Sequence, residues 1–221
     1  MLDERLKTLL HYLKGFNTLI DIGTDHAYLP IQAIKKDIVT KAYAVDNKQG
    51  PLNVAKKNIQ ANHLESHITT LLSSGIEVLP DDADVLVMAG LGGDAIYEAL
   101  KKGPYKNLKR LILQANNHPE RVRQLTHHNN WKIVDESVVA FKTYDYPIIV
   151  LDLGSQTLTE KERLFGPVLL EKRPPSFIDM LKKECDYLHN LMTKIPDVKA
   201  KEPLLKRIKA IEEVLYERCH D

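Results

Sequence analysis

The chain has 221 residues, 43% hydrophobic and 28% charged, enough for one large domain with a small appendage. Its 31 lysines and arginines balance 30 aspartates and glutamates, so the net charge of +1 gives no general case for a polyanionic partner, and any such case rests on local clusters. Two cysteines without C-x-x-C spacing, no apolar run of membrane length and a charged opening (Met1-Leu2-Asp3-Glu4-Arg5) argue for a reducing cytoplasm and against a zinc site, a membrane span or a signal peptide.

Leu2, Leu6, Leu9, Leu10 and Leu13 form a helical stripe stopped by Gly15, which predicts a leading helix packed on a sheet edge. Residues 18–23 read as a first strand, followed by a tight turn and a helix over 27–36 with Pro30 in its first turn. A second strand spans 41–46 and a helix spans 51–62, opened by Pro51. Strands follow over 68–73 and 84–90, the latter continuously apolar, as a strand buried on both faces requires. Gly92-Gly93 opens a helix through Leu100, a fifth strand covers 110–114, and the next helix covers 118–129. Strands over 131–141 and 146–153 are joined by a turn too short for a crossover helix, so this pair is antiparallel. Ile178, Leu181, Cys185, Leu188, Met192 and Ile195 are spaced 3-4-3-4-3, a heptad seam. After a break over 196–203, Leu204, Ile208, Ile211 and Leu215 return at 4-3-4, which predicts an antiparallel helical hairpin. Cys185 and Cys219 would be offset by roughly 7 Å along it, so no disulfide is expected.

Five strands alternating with helices and an antiparallel final pair give an α/β, seven-stranded doubly wound sheet over 1–156, the layout of class I S-adenosylmethionine (SAM) methyltransferases, with the hairpin as a second domain over 157–221. Ligands of such sheets bind at the carboxyl ends of the strands. Asp21, Gly23, Asp25 and His26 share that edge. One glycine, in place of the three of G-x-G-x-x-G, suits a nucleoside better than a pyrophosphate; Asp25 serves equally well as a helix N-cap. Asp46, with Asn47 beside it, can accept bonds from ribose hydroxyls or simply occupy a surface turn. Ser74 and Gly75 follow strand three, where a side chain can reach an adenine edge. In Ala89-Gly90-Leu91-Gly92-Gly93 the glycines let a flat ring lie against bare backbone and present amide donors at a helix start, or make a flexible loop. Gln114, Asn116 and Asn117 can read the pairing edge of a base, or act as turn and capping residues.

Three blocks, Asp21-Ile22-Gly23-Thr24-Asp25-His26-Ala27-Tyr28-Leu29-Pro30, Ala89-Gly90-Leu91-Gly92-Gly93 and Leu111-Ile112-Leu113-Gln114-Ala115-Asn116-Asn117, resemble the signature blocks of the bacterial tRNA adenine-22 N1-methyltransferases, the TrmK family. Gly50-Pro51 and Phe165-Gly166-Pro167 match as well, so the resemblance spans essentially the whole chain. It departs from the family pattern at Asp46, Ser74, Ala115 and Pro147, where Glu, Asp or Asn, Pro and an acid are usual.

The resemblance implies methyl transfer from SAM to N1 of an adenine in the tRNA D arm. N1 carries an in-plane lone pair and needs no base, so the enzyme's work is in-line positioning and tolerance of the product's positive charge. Gln114, Asn116 and Asn117 are the candidates for that role. Asp21, Gly23, Asp25, His26, Asp46, Asn47, Ser74, Gly75, Ala89, Gly90 and Leu91 are those for the cofactor. N1 lies on the pairing edge, so the base must be turned outward first. Gly92, Gly93, Tyr28 and Tyr146 are candidates to receive it. Basic residues in four groups, among them Arg121 and Arg123 with His127 and His128, Lys172 with Arg173, and Lys206, Arg207 and Lys209, form a candidate phosphate track, or a set of solvated faces. No metal is required, and a cytoplasmic monomer is expected. The alternatives are a SAM-dependent enzyme acting on another RNA or a small molecule, a nicotinamide oxidoreductase (disfavoured by the missing glycines), and a non-catalytic RNA-binding module.

Overall fold

A computed structural model describes residues 3–103, 105–127 and 130–217, except the side chain of Val198. Cys219, His128 and the end of the helix predicted over 118–129 lie outside the described residues. The chain divides into two compact units, Met1–Val168 and Leu169–Asp221.

The first unit is built on a seven-stranded sheet of β1 (Thr18–Ile22), β2 (Lys41–Asp46), β3 (Ile68–Leu72), β4 (Val85–Leu91), β5 (Arg110–Ala115), β6 (Trp131–Phe141) and β7 (Tyr144–Leu153). The strand order is β3-β2-β1-β4-β5-β7-β6. β1 pairs in parallel with β2 and β4, and β7 is antiparallel to both β5 and β6. The alternation of a strand explains the unbroken apolar run of β4. Leu86 and Met88 enter one core with Ile20, Ile22 and Leu113, while Val85 and Val87 enter the other with Leu19, Ala44 and Ile112.

The helices of this unit are α1 (Glu4–Tyr12), α2 (Tyr28–Lys35), α3 (Gln49–Ala61), α4 (Gly93–Leu100), α5 (Pro119–Arg123) and α6 (Glu160–Phe165), and α7 (Pro167–Lys172) spans the boundary. Asp3 caps α1 by accepting a bond from Leu6 N at 2.7 Å. α3 begins two residues before Pro51, which the first turn tolerates because its amides have no helical acceptor. The helix expected over 118–129 is a short α5 that tightens into a 3-10 turn, Gln124–His127, where the Thr126 hydroxyl donates to Arg123 O at 2.9 Å.

The unit boundary falls later than residue 157 because α6 is tied to the sheet domain. Arg123 Nη1 donates to the carbonyls of Arg163 and Leu164, and Val168 N donates to Glu136 Oε2 at 3.1 Å. A capping box of Thr159 and Glu162 starts that helix.

The second unit is the expected hairpin, α8 (Pro175–Lys194) against α9 (Val198–Tyr216). Its break is shorter than predicted. Asp197 Oδ1 accepts from Lys199 N at 2.9 Å and starts α9 early, so Pro203 lies inside the helix and removes one hydrogen bond without ending it. Phe177, Leu181, Cys185 and Leu188 of α8 and Ile208, Ile211 and Val214 of α9 are buried; on the return helix Val214 replaces the predicted Leu215.

Candidate active site

The carboxyl ends of β1, β2, β3 and β4 surround two cavities that meet at Gly23 and Leu91, the residues common to both linings. Gly23 has φ +82°, a left-handed conformation, and its Cα faces the Leu91 side chain, which a Cβ would approach to 3.5 Å. Gly23 N and Thr24 N both donate to Val45 O at 2.9 Å, which pins the turn to β2.

The smaller cavity has a volume of about 370 Å³. Ile22, Pro51, Met88, Leu91, Ala95 and Ala99 give it apolar walls, with Asp46, Asn47, Lys48, Ser73 and Ser74 on its polar side. Asp46 Oδ1 accepts from Lys48 N at 2.9 Å, which fixes the carboxylate by one oxygen. Gly75 does not line the cavity; its N–H and carbonyl instead close a small loop on the Ser73 hydroxyl.

The larger cavity, about 710 Å³, is lined by Asp21, Thr24, Asp25, His26, Tyr28, Ala89 and Gly90. α1 also lines it, through Asp3, Arg5, Leu6 and Leu9. The leucine stripe alone predicts edge packing for α1; in sequence nothing separates Arg5 from Lys7, the two cations that flank Leu6. Asp21 is buried, and desolvation raises its carboxyl to about 6. The Thr24 hydroxyl pulls it back, though too poorly aligned to count as a hydrogen bond, and the Asp46 charge adds to the rise. His26 Nε2 lies 3.1 Å from Asp25 Oδ2.

The carboxamides at the end of β5 do not line this cavity; Gln114 and Asn116 brace Gly90, which does. Buried Gln114 accepts at Oε1 from Gly90 N (3.0 Å) and from Arg5 Nη1 (3.2 Å), and its amide donates to Asn116 Oδ1 at 3.0 Å. Asn116 Nδ2 in turn donates to Gly90 O at 2.7 Å. Gln114 and Asn116 therefore hold Gly90, at φ +81°, by both its backbone polar groups. Asn117 accepts from Gly93 N through its carbonyl and, at 3.3 Å, its side chain.

The other candidates divide. Tyr28, 61% exposed, lies against His26 with ring centroids 5.4 Å apart, and the Arg5 guanidinium stands 5.6 Å from the Tyr146 ring centre. Gly92 and Gly93 are needed for close packing. A Cβ on Gly92 would lie 2.9 Å from Asn117 Oδ1, and one on Gly93 would overlap the His118 carbonyl. Gly93→Ala should therefore destabilise the protein by about 1–3 kcal/mol, the usual range for overpacking, as measured by urea unfolding; an unchanged midpoint would refute this packing role. Arg121 is engaged by Asp94 at 2.8 Å and by the face of Tyr97. Arg123 is 1% exposed, so the surface role expected for it is corrected: its guanidinium belongs to the core. Arg173 likewise donates to Val214 O at 2.9 Å near the end of α9, while Lys172 is exposed.

The donor set fits SAM. A nucleoside-sized cavity carries a fixed carboxylate at the end of β2, buried Asp21 and exposed Asp25 suit a cation, and two buried polar atoms, Thr24 Oγ1 and His26 Nδ1, have no partner. A reversed β7, a single-glycine turn after β1 and an acidic end to β2 define a class I SAM-dependent methyltransferase. Residues 19–217 match the family model described as TrmK, tRNA (adenine(22)-N(1))-methyltransferase. The Bacillus subtilis (strain 168) tRNA (adenine(22)-N(1))-methyltransferase is 27% identical over 219 residues, covering 95% of this chain and 92% of that one. A Streptococcus pneumoniae protein solved in complex with S-adenosyl-L-methionine superposes with TM-score 0.90 at 31% identity, covering 98% of this chain and all of the other. M. capricolum TrmK with S-adenosyl-homocysteine gives 0.86 at 29%, over 97% of this chain and 98% of that one. The chain belongs to the TrmK family of tRNA (adenine(22)-N(1))-methyltransferases.

Proposed function

We propose that the chain methylates N1 of adenine 22 in the D arm of tRNA, with the cofactor's nucleoside in the smaller cavity and the target base in the larger. The observation that carries this reading is the meeting of the two cavities at Gly23 and Leu91, which gives one site two compartments with a common border. SAM supplies an electrophilic methyl group on a sulfonium. Asp46 accepts the ribose hydroxyls, Asn47 and Ser74 bound the adenine edge, and Met88, Leu91 and Ala95 cover its faces. Asp21, Thr24 and His26 hold the charged amino-acid end.

Tyr28 and Tyr146 stack on the extruded adenine, and Gly90 leaves its face against bare backbone. Gln114 and Asn116 act through Gly90 by fixing its conformation. The attacking nitrogen needs no base, so catalysis rests on orientation and on the carboxylates of Asp21 and Asp25, which stabilise the cationic product. We place the enzyme in the cytoplasm as a monomer with no catalytic metal; a dimer in analytical ultracentrifugation would overturn the monomeric state.

Incubation with unmodified tRNA and labelled SAM, followed by mass-spectrometric mapping, should give N1-methyladenine at position 22 alone; methyl transfer to another position would redirect the substrate assignment. Asp46→Ala should weaken SAM binding about ten- to a hundredfold in calorimetry, the loss of a charge-assisted hydrogen bond; affinity within twofold of wild type would remove Asp46 from the ribose. The second unit contributes phosphate contacts through exposed lysines of α9. Lys206→Glu with Lys209→Glu should weaken tRNA binding and lower its salt slope by about 1 per lysine lost, with SAM affinity unchanged. An unchanged slope would leave those lysines as solvated surface.

A further inference from the structure

The helical hairpin carries a group of side chains that methyl transfer does not use. Cys185 and His189 lie four residues apart on α8, hence on one face, and Glu212 approaches them from α9; one ligand atom from each lies within 4.8 Å of the other two. Cys185 Sγ and His189 Nδ1 are 3.6 Å apart. A tetrahedral zinc ion with Zn–S of about 2.3 Å and Zn–N of about 2.0–2.1 Å separates its sulfur and nitrogen ligands by about 3.6 Å, so this pair already has the required spacing.

We propose that Cys185, His189 and Glu212 form a zinc site that ties α8 to α9, with water in the fourth position. A thiolate, an imidazole and one carboxylate form a borderline-soft donor set that favours zinc over magnesium or calcium. Burial is graded in the right sense. Cys185 is buried in the seam, Glu212 is intermediate and His189 is exposed, which leaves an entry path from solvent. Burial first, and then the Glu212, Asp186 and Glu184 charges, push the Cys185 thiol up, and the same carboxylates attract a cation; Glu184 is itself engaged by Arg207 at 2.7 Å. His189 Nδ1 also lies 3.0 Å from Cys185 O, and ligation through that nitrogen exchanges this contact for the metal. On binding, the thiol proton leaves to solvent and a sulfur–zinc bond forms, without a change of oxidation state. The sequence hides the site because C-x-x-x-H supplies two ligands and the third arrives only when the hairpin closes.

The test is titration of the full chain, reduced and freed of metal by chelation, with Co²⁺ and then Zn²⁺. One equivalent of Co²⁺ should give a thiolate-to-cobalt charge-transfer band and the intense visible bands of a tetrahedral ion, and Zn²⁺ should displace it. Cys185→Ser should abolish the charge-transfer band, and Glu212→Gln, which keeps shape and removes charge, should lower affinity at least tenfold. Circular dichroism and SAM affinity report on folding in each variant. Cys219→Ser should leave the band intact. Absence of the band in the wild-type chain, its loss in Cys219→Ser, or unchanged affinity in Glu212→Gln would each overturn the assignment.

Discussion

Asp21→Asn should make the cofactor-free protein more stable at neutral pH and impair its hold on SAM. The Asp21 carboxyl titrates near 3.8 when exposed and at about 6 in the fold, where desolvation disfavours its charge. The folded state therefore binds more protons than the unfolded state between those values, and stability falls as pH rises from about 4 to about 6. Above that window the ionised carboxylate lowers stability by up to about 3 kcal/mol, from 1.36 kcal/mol per pH unit. Asparagine removes the charge at nearly constant shape. The expected result is a melting temperature several degrees higher at pH 7.5 and a flat stability profile through pH 4–6 where the wild type slopes. On the proposed placement of the cofactor, the same substitution deletes a negative charge beside its cationic end, so SAM affinity should drop, and wild-type affinity should rise as pH passes 6. A destabilised variant with undiminished SAM affinity would show that Asp21 is a structural acid.

That trade of stability for function was partly legible in the sequence. A carboxylate at the end of an apolar strand contradicts the burial pattern around it, and such contradictions collect at sites. The sheet was legible for the same reason: alternating and continuous apolar runs state how many faces a strand buries, and the short turn expected before residue 146 leaves only an antiparallel partner, although β7 begins earlier, at Tyr144. Less could be read where the answer depends on which face a charged residue takes. Arg5 flanks Leu6 just as Lys7 does, so it gives no sign that its helix reaches the cavity until α1 is placed. Asn116 and Gln114 look like base readers one by one; in the fold their amides bond to each other and to Gly90. Pro203 reads as a helix stop, and only the fold shows Asp197 capping a helix that runs through it.

Arg123 is the sharpest case of a hidden face, and its replacement should unfold the protein more than any surface change. In sequence it belongs to a basic cluster with Arg121. In the fold its Nε donates to Glu136 Oε1 at 2.8 Å, and both side chains are almost fully enclosed, at 1% and 0% exposure. Two further polar atoms of the pair are used as well. Nη1 reaches the carbonyls of Arg163 and Leu164, and Glu136 Oε2 accepts from Val168 N. Gly166, at φ +92°, must be glycine here, because a Cβ would overlap the Glu136 carboxylate. Removing one partner leaves a buried charge unpaired, so Arg123→Ala should lose about 3–5 kcal/mol in denaturant unfolding. Arg123→Lys should lose much of the same, because an ammonium cannot serve the carboxylate and two carbonyls from one planar fork. Replacing the pair together, Arg123→Met with Glu136→Leu, should recover part of that stability, since no buried charge is left unpaired, although Val168 N and the Arg163 and Leu164 carbonyls lose these partners. That double variant separates the two meanings of the basic cluster. If Arg123 served tRNA phosphates, the recovered protein would bind tRNA less tightly and with a smaller salt slope. Burial predicts equal affinity and equal slope, because the guanidinium that the sequence offers to a phosphate is already spent on the joint between α5, β6 and the last turn of α6.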